Sequence, residues 1–272
     1  IDDEGRPTEH FGQPTWVNLQ YLRKKGDLRP DDEILAEGRR QIDEVQARGA
    51  FIAEGHGRNI WDLDPGLEKT IRDLYKDSKK SIRAQLPIAF AASLPSAVEV
   101  TSRSRDRNDY ILHPPSGEEL NPLSTEVIRR LADGSRSQYD VQVVISDGLN
   151  AYALTDEGHL GPCLDALRVK LETAGFNAAP EHIVVTNGRV RAGYRIGEML
   201  FGALRDGQRR RAILHIIGER PGSGHHAFSV YITNSPGTTW AQAGLTDHNI
   251  TRVVSGIADT ALDPENAAAA TV

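Results

Sequence analysis

A single cysteine, Cys163, rules out an intrachain disulfide in this 272-residue chain and denies it the thiolates of a cysteine-rich zinc site. A reducing cytoplasm is its simplest setting, and a small buried position on a helix is the simplest role for the thiol. No apolar run reaches the roughly 18 residues that would span a membrane. The chain starts at Ile1 with no apolar leader behind it, so no secretory signal is expected, and the missing Met suggests a processed chain or a fragment. Basic charge is not in excess. With 32 Lys and Arg against 38 Asp and Glu, the net charge of -6 offers no electrostatic footprint for nucleic acid. There is no GxGxxG after a strand, no GxxxxGK(S/T), no HExxH, no GxSxG and no Cys–His pairing. On motifs alone the chain reads as a binding module and not as a self-contained enzyme.

What is present is an ordinary globular balance, 39% hydrophobic and 26% charged, in a chain long enough for one large domain or two small ones. Residues 1–30 read as an irregular lead-in punctuated by Pro7, Gly12, Pro14 and Pro30, in which only Trp16 to Leu19 could pair or pack. Asp31 and Asp32 introduce a helix to about residue 48, closed by Gly49, and a second helix spans 66–83. The proline-bearing, weakly charged stretch 84–97 reads as a linker or boundary. The predicted division is therefore 1–90, a helical N-terminal segment, and 91–272, an α/β domain.

Val98 to Val100 and Tyr110 to Leu112 are short strand candidates, followed by a helix over 120–131. Val141-Gln142-Val143-Val144-Ile145 is a nearly continuous β-branched run, the pattern of a parallel strand covered on both faces. A helix carrying Leu160, Leu164, Leu167 and Leu171 comes next, then a strand at 183–185, a helix at 193–204, and strands at 212–217 and 228–232. This alternation predicts an open, mainly parallel α/β sheet with flanking helices.

Ligands of such sheets bind beyond the carboxyl ends of the strands. Three segments fall there: Ser146-Asp147-Gly148, Asn187-Gly188-Arg189-Val190, and Gly218 to Gly224. Each has a bland alternative. Asp147 caps a turn, Gly188 supplies a positive φ, and Glu219 pairs with Arg220 or Arg189 on the surface. His225 and His226, adjacent on a strand, would face opposite ways and so would not chelate one ion. His56 sits between glycines without a partner.

The ordered motifs then point further. Asp140 to Leu149 (DVQVVISDGL) closely resembles a segment of the small subunit of ethanolamine ammonia-lyase, and Gly188-Arg189-Val190 with Ile196-Gly197-Glu198, and Gly218-Glu219-Arg220-Pro221-Gly222-Ser223-Gly224, are similar to further segments of it. A weaker pattern of Val98, Asp106, Tyr110, Pro114, Gly117 and Leu120 keeps the same order, and the resemblance covers about 94–260. It implies an α/β subunit that clasps adenosylcobalamin against a catalytic TIM-barrel large subunit, in a hetero-oligomer turning ethanolamine into acetaldehyde and ammonia. It implies that Val190 and Glu219 contact the cofactor. Thr246 stands where the family pattern has a cysteine before ISNI, and is a third contact on that reading. No catalytic residue and no metal ligand is implied for this chain. The family leaves open a place inside a bacterial microcompartment. DxHxxG, by which some cobalamin domains supply a lower axial His, is missing. Residues 1 to about 85 do not resemble the family's N-terminus, and the tail of a fused large subunit is one reading of them.

Two rivals remain at this stage. One is a non-catalytic α/β adaptor for a protein partner. The other is a small-molecule transferase using Asp147 and Glu219 as acid and base, which requires both carboxylates within reach of one substrate.

Overall fold

The computed structural model of the chain describes residues 14–48, 65–134, 138–156, 158–204, 208–221, 226–258 and 261–272, and the expectations for Gly49, His56 and His225 lie outside them. Two compact units result, Ile1–Asp77 and Ser78–Val272.

In the first unit, helix α1 (Pro14–Lys24) occupies part of the stretch expected to be irregular. Pro14 opens it, where a missing N–H is harmless, and Arg23 and Lys24 complement its carboxyl end. Gly26, at a φ of 91°, then turns the chain, and the Asp27 N–H returns to the Leu22 carbonyl. Helix α2 (Asp31–Ala47) carries Asp31, Asp32 and Glu33 in its first turn, favourable at a positive helix end. Helix α3 (Pro65–Ser81) follows and crosses into the second unit.

The second unit is built on one six-stranded sheet, in the order β1-β3-β2-β4-β5-β6. Strands β1 (Ala97–Thr101), β2 (Val141–Ser146), β3 (His182–Thr186) and β4 (Arg210–Gly218) run parallel. Strands β5 (Phe228–Pro236) and β6 (Thr251–Ile257) complete the sheet antiparallel, so its last third is a meander. All six residues of β2 are buried. Val143 and Ile145 join one core with Leu160, Cys163, Leu167 and Leu171, while Val144 joins another with Ile196, Leu200 and Trp240. The period-two alternation of a strand thus feeds two apolar layers. Each buried branched side chain contributes roughly 1.5–3 kcal/mol.

The helices of this unit are α4 (Arg107–Leu112), α5 (Pro122–Asp133), α6 (Tyr152–Thr155), α7 (Leu160–Thr173), α8 (Val190–Phe201), α9 (Gly237–Trp240) and α10 (Pro264–Thr271). Helix α4 corrects the expectation of a strand at Tyr110 to Leu112. The Asp106 carboxylate accepts from the Asp109 N–H and caps the turn, a local signal that overrides the apolar triplet. The alanine-rich tail is the body of α10, whose Ala267 and Ala268 are buried in the α7 layer. Within 84–97, Leu86, Phe90 and Ala91 also enter that core.

Candidate functional site

Strand order decides where a site forms. The chain passes from β2 to β3 on one side, then crosses to β4 on the other, so β2 lies at a switch point. Helix α7 after β2 and helix α8 after β3 leave to opposite faces. The opening between such connections is the usual ligand crevice of an open α/β sheet.

The floor of this crevice is tightly drawn. Gly148, at a φ of 54°, touches the end of β4, and a Cβ there would stand 2.2 Å from the Gly218 carbonyl oxygen. Gly188 has a different purpose from the positive φ expected of it. It is Asn187 that is left-handed, at a φ of 54°, whereas a Cβ on Gly188 would stand 2.5 Å from Ser146 Oγ. Glycine is required there by close approach.

Beneath the floor lies a buried polar knot. Arg107 donates to the carbonyls of Ile82 and Gly148 at 2.9 Å each and lies 3.4 Å from Asp147. Asp147 also accepts from the Gly188 N–H at 3.2 Å. Burial outweighs these attractions and pushes its carboxyl up to about 6, while burial holds Arg107 below the usual guanidinium range. Tyr110 is sandwiched between Arg107 and Arg189, whose guanidinium carbons lie 4.5 and 4.6 Å from its ring centroid. Its hydroxyl donates to the Gly188 carbonyl at 3.2 Å.

His215 is a second support. Its Nδ1 is 3.3 Å from the Val190 carbonyl, which only accepts, so Nδ1 carries the proton and Nε2 accepts from Ser146 Oγ at 2.6 Å. Burial holds this imidazole near 4, hence neutral at pH 7. The start of α8 is thereby pinned to β2 and β4.

Above the floor opens a cavity of about 210 Å³. Its wall takes Gly148 and Leu149 from the β2 end, Arg189, Val190 and Arg191 from the start of α8, and Ile217 to Arg220 from the β4 end. Tyr231 of β5 and His248 complete one side. Tyr231 Oη donates to Glu219 Oε1 at 3.2 Å and holds the carboxylate at the wall. Burial, then the neighbouring Glu219, push the Tyr231 phenol up to about 12, so it remains a donor. Arg191 pairs with Glu118 at 2.8 Å. The lining mixes apolar surface, a carboxylate and guanidinium groups, so it offers an acceptor for N–H donors and a counter-charge for an anion.

Val190 and Glu219, named from separate segments of the sequence, meet at this cavity. Thr246 stands behind the wall, 2% exposed, with its hydroxyl donating to Glu198 at 3.0 Å. Asp147 is fully buried beneath the cavity, so it and Glu219 do not share an open site as the transferase reading requires. His226 precedes β5 and pairs with Asp156, its Nε2 3.3 Å from Ser81 Oγ. That Ser–His–Asp line is a clamp, because Ser81 is completely buried at the end of α3. Among the described residues no cluster of three His, Cys, Asp or Glu is placed to hold a metal ion, and no helix is long and apolar enough to cross a membrane.

Sequence reasoning did not single out Arg107, Tyr231 or His248. Tyr231 sits in a strand pattern, and Arg107 in a charged turn, so neither carried a local signal. The fourfold spacing of Val190, Tyr194 and Glu198 on α8 could have suggested a common face.

The family model for ethanolamine ammonia-lyase light chain (EutC) matches residues 69–272. The small subunit of ethanolamine ammonia-lyase from Pseudomonas fluorescens (strain Pf0-1) is 33% identical over 147 residues, 54% of this chain and 48% of the relative. Its counterpart from Azotobacter vinelandii is 37% identical over the same extent. That from Pseudomonas putida (strain ATCC 700007) is 33% identical over 197 residues, 70% of this chain and 66% of the relative. The chain thus spans about half the length of the first two relatives and two-thirds of the third.

Proposed function

This chain belongs to the ethanolamine ammonia-lyase light-chain family, and we propose that it is the small subunit of an adenosylcobalamin-dependent ethanolamine ammonia-lyase. In that role it lays the carboxyl rim of its sheet against the cofactor, while a large subunit holds the substrate and the opposite side. The observation that carries this reading is the meeting of Val190 and Glu219 at one cavity on the switch-point crevice.

The cavity fits a shared ligand. At about 210 Å³ it is smaller than the roughly 300–1,000 Å³ that encloses a drug-sized molecule, so a corrinoid resting on it leaves much of its surface for a partner to cover. When bound, adenosylcobalamin supplies the radical through cleavage of its cobalt–carbon bond. The chain's own residues bind and orient. Glu219, held by Tyr231, accepts from side-chain amide N–H groups of the corrin periphery. Val190 offers apolar contact, and Arg189 and Arg220 on the wall favour the cofactor's phosphodiester. The groups that handle substrate belong to the large subunit, in a hetero-oligomer.

Co-purification with the large subunit, with and without adenosylcobalamin, tests the assignment. The cofactor is expected to strengthen the complex, and Glu219→Ala is expected to weaken cofactor retention without loss of fold. An unchanged cobalamin affinity in that variant removes Glu219 from the site.

A further inference from the structure

Helix α8 and the segment before β6 lie side by side in a fixed register. Val190, Tyr194 and Glu198 are spaced four residues apart, so they stack along one face at about 6 Å per step. Glu198 takes the Gly244 N–H and the Thr246 hydroxyl, each at 3.0 Å. Tyr194, one turn nearer the cavity, bonds His248 Nδ1 at 2.8 Å, and the two rings meet edge to face at 5.6 Å. The segment therefore runs antiparallel to α8 and delivers His248, not Thr246, to the level of Val190. His248 lines the cavity together with Val190 and Glu219, whereas Thr246 is closed off at 2% exposure.

We infer that His248 is a cofactor-contacting residue, an N–H donor to an amide carbonyl on the corrinoid's periphery. The inference rests on the cobalamin reading above. The Tyr194 hydroxyl, on a residue only 3% exposed, lies 2.8 Å from Nδ1, so Nδ1 is engaged and Nε2 is the ring nitrogen left for a ligand. With the Tyr194 hydroxyl donating to Nδ1, Nε2 is the N–H that faces outward as a donor. The Asp247 carboxylate accepts from the Asn249 N–H at 2.8 Å and fixes the short turn His248–Ile250 that presents the ring. Glu219 as acceptor and His248 as donor would together read both ends of the carboxamides that ring a corrin.

The test uses the full chain assembled with its large subunit, titrated with adenosylcobalamin and read by equilibrium dialysis and visible absorption. His248→Ala is expected to weaken cobalamin binding by about tenfold or more, the worth of one well-placed hydrogen bond. His248→Gln, which keeps an N–H donor, is expected to bind within about threefold of the natural protein. Both variants are expected to stay folded, losing at most the Tyr194 contact, since His248 is exposed. Natural binding by His248→Ala, with Glu219→Ala still impaired, overturns the role of His248 and leaves the cobalamin reading standing. Equal losses in His248→Ala and His248→Gln overturn the donor role. No cobalamin binding by the natural assembly overturns both.

Discussion

Arg107 and Asp147 form an ion pair at 3.4 Å with both side chains withdrawn from solvent, 8% and 0% exposed. Desolvation makes such a pair a poor source of stability, so its value here is positional. Through it the start of α4 is tied to the ends of β2 and β3, which carry the cavity.

Removal of one partner strands the other in the interior. Arg107→Met is expected to destabilise the second unit by about 3–5 kcal/mol, read by urea denaturation. A loss below about 1 kcal/mol is the level of an exposed pair and would contradict the burial described here.

Stability against pH contains two opposing contributions. Burial pushes the folded Asp147 carboxyl up to about 6, above its ordinary 3.8. The native state therefore holds this proton more tightly, and stability falls as pH rises from about 4 to 6, by roughly 3 kcal/mol. Burial holds the folded His215 imidazole down at about 4, below its ordinary 6.5, so the unfolded chain binds its proton first and stability falls as pH drops through that window, by a similar amount. The two largely cancel. Asp147→Asn should expose the histidine and make the protein distinctly less stable at pH 4.5 than at pH 7. His215→Gln should reverse the slope. Parallel stability curves for the natural chain and both variants would refute this account.

A methyl group at the crevice floor has no room. A Cβ on Gly218 would lie 2.1 Å from the Asn150 carbonyl oxygen and 2.6 Å from that of Asp147, and backbone does not yield as a side chain does. Gly218→Ala is expected to cost at least about 3 kcal/mol, at the upper end for overpacking. Thermal unfolding measures it, and on the proposed function cobalamin retention should fall in parallel.

Trp240 is the largest fully buried side chain of the second unit. It meets Phe201 edge to face at 5.8 Å, and its Nε1 donates to the Arg211 carbonyl at 3.1 Å. Trp240→Ala should cost about 3–5 kcal/mol. Because Trp240 packs under the far end of α8, the cofactor affinity expected from the proposed function should change little at temperatures well below unfolding.

Much of the sheet was legible because a parallel strand announces itself in a short window. The run Val141 to Ile145 and the strands at 183–185 and 212–217 needed only short runs rich in β-branched and apolar residues. Helix α4 was misread because Tyr110, Ile111 and Leu112 look like a strand unless Asp106 is recognised as a cap. Helix α1 was passed over because prolines on either side suggested loop, although Pro14 opens a helix. Strand β6 went unpredicted: it forms the sheet edge, only Ile257 is buried, and Ser255 and Gly256 interrupt its apolar residues.

The sequence by itself determined the α/β class, the segments that end each central strand and, through their ordered motifs, the family. These are encoded in neighbouring residues and survive without knowledge of the rest of the chain. Only the tertiary structure decided that Val190 and Glu219 share a cavity, that Asp147 lies sealed beneath it against Arg107, and that His248 reaches the wall while Thr246 does not. Such facts depend on strand order and on the register of the 244–248 segment along α8, which join residues far apart in the chain and leave no trace in local periodicity.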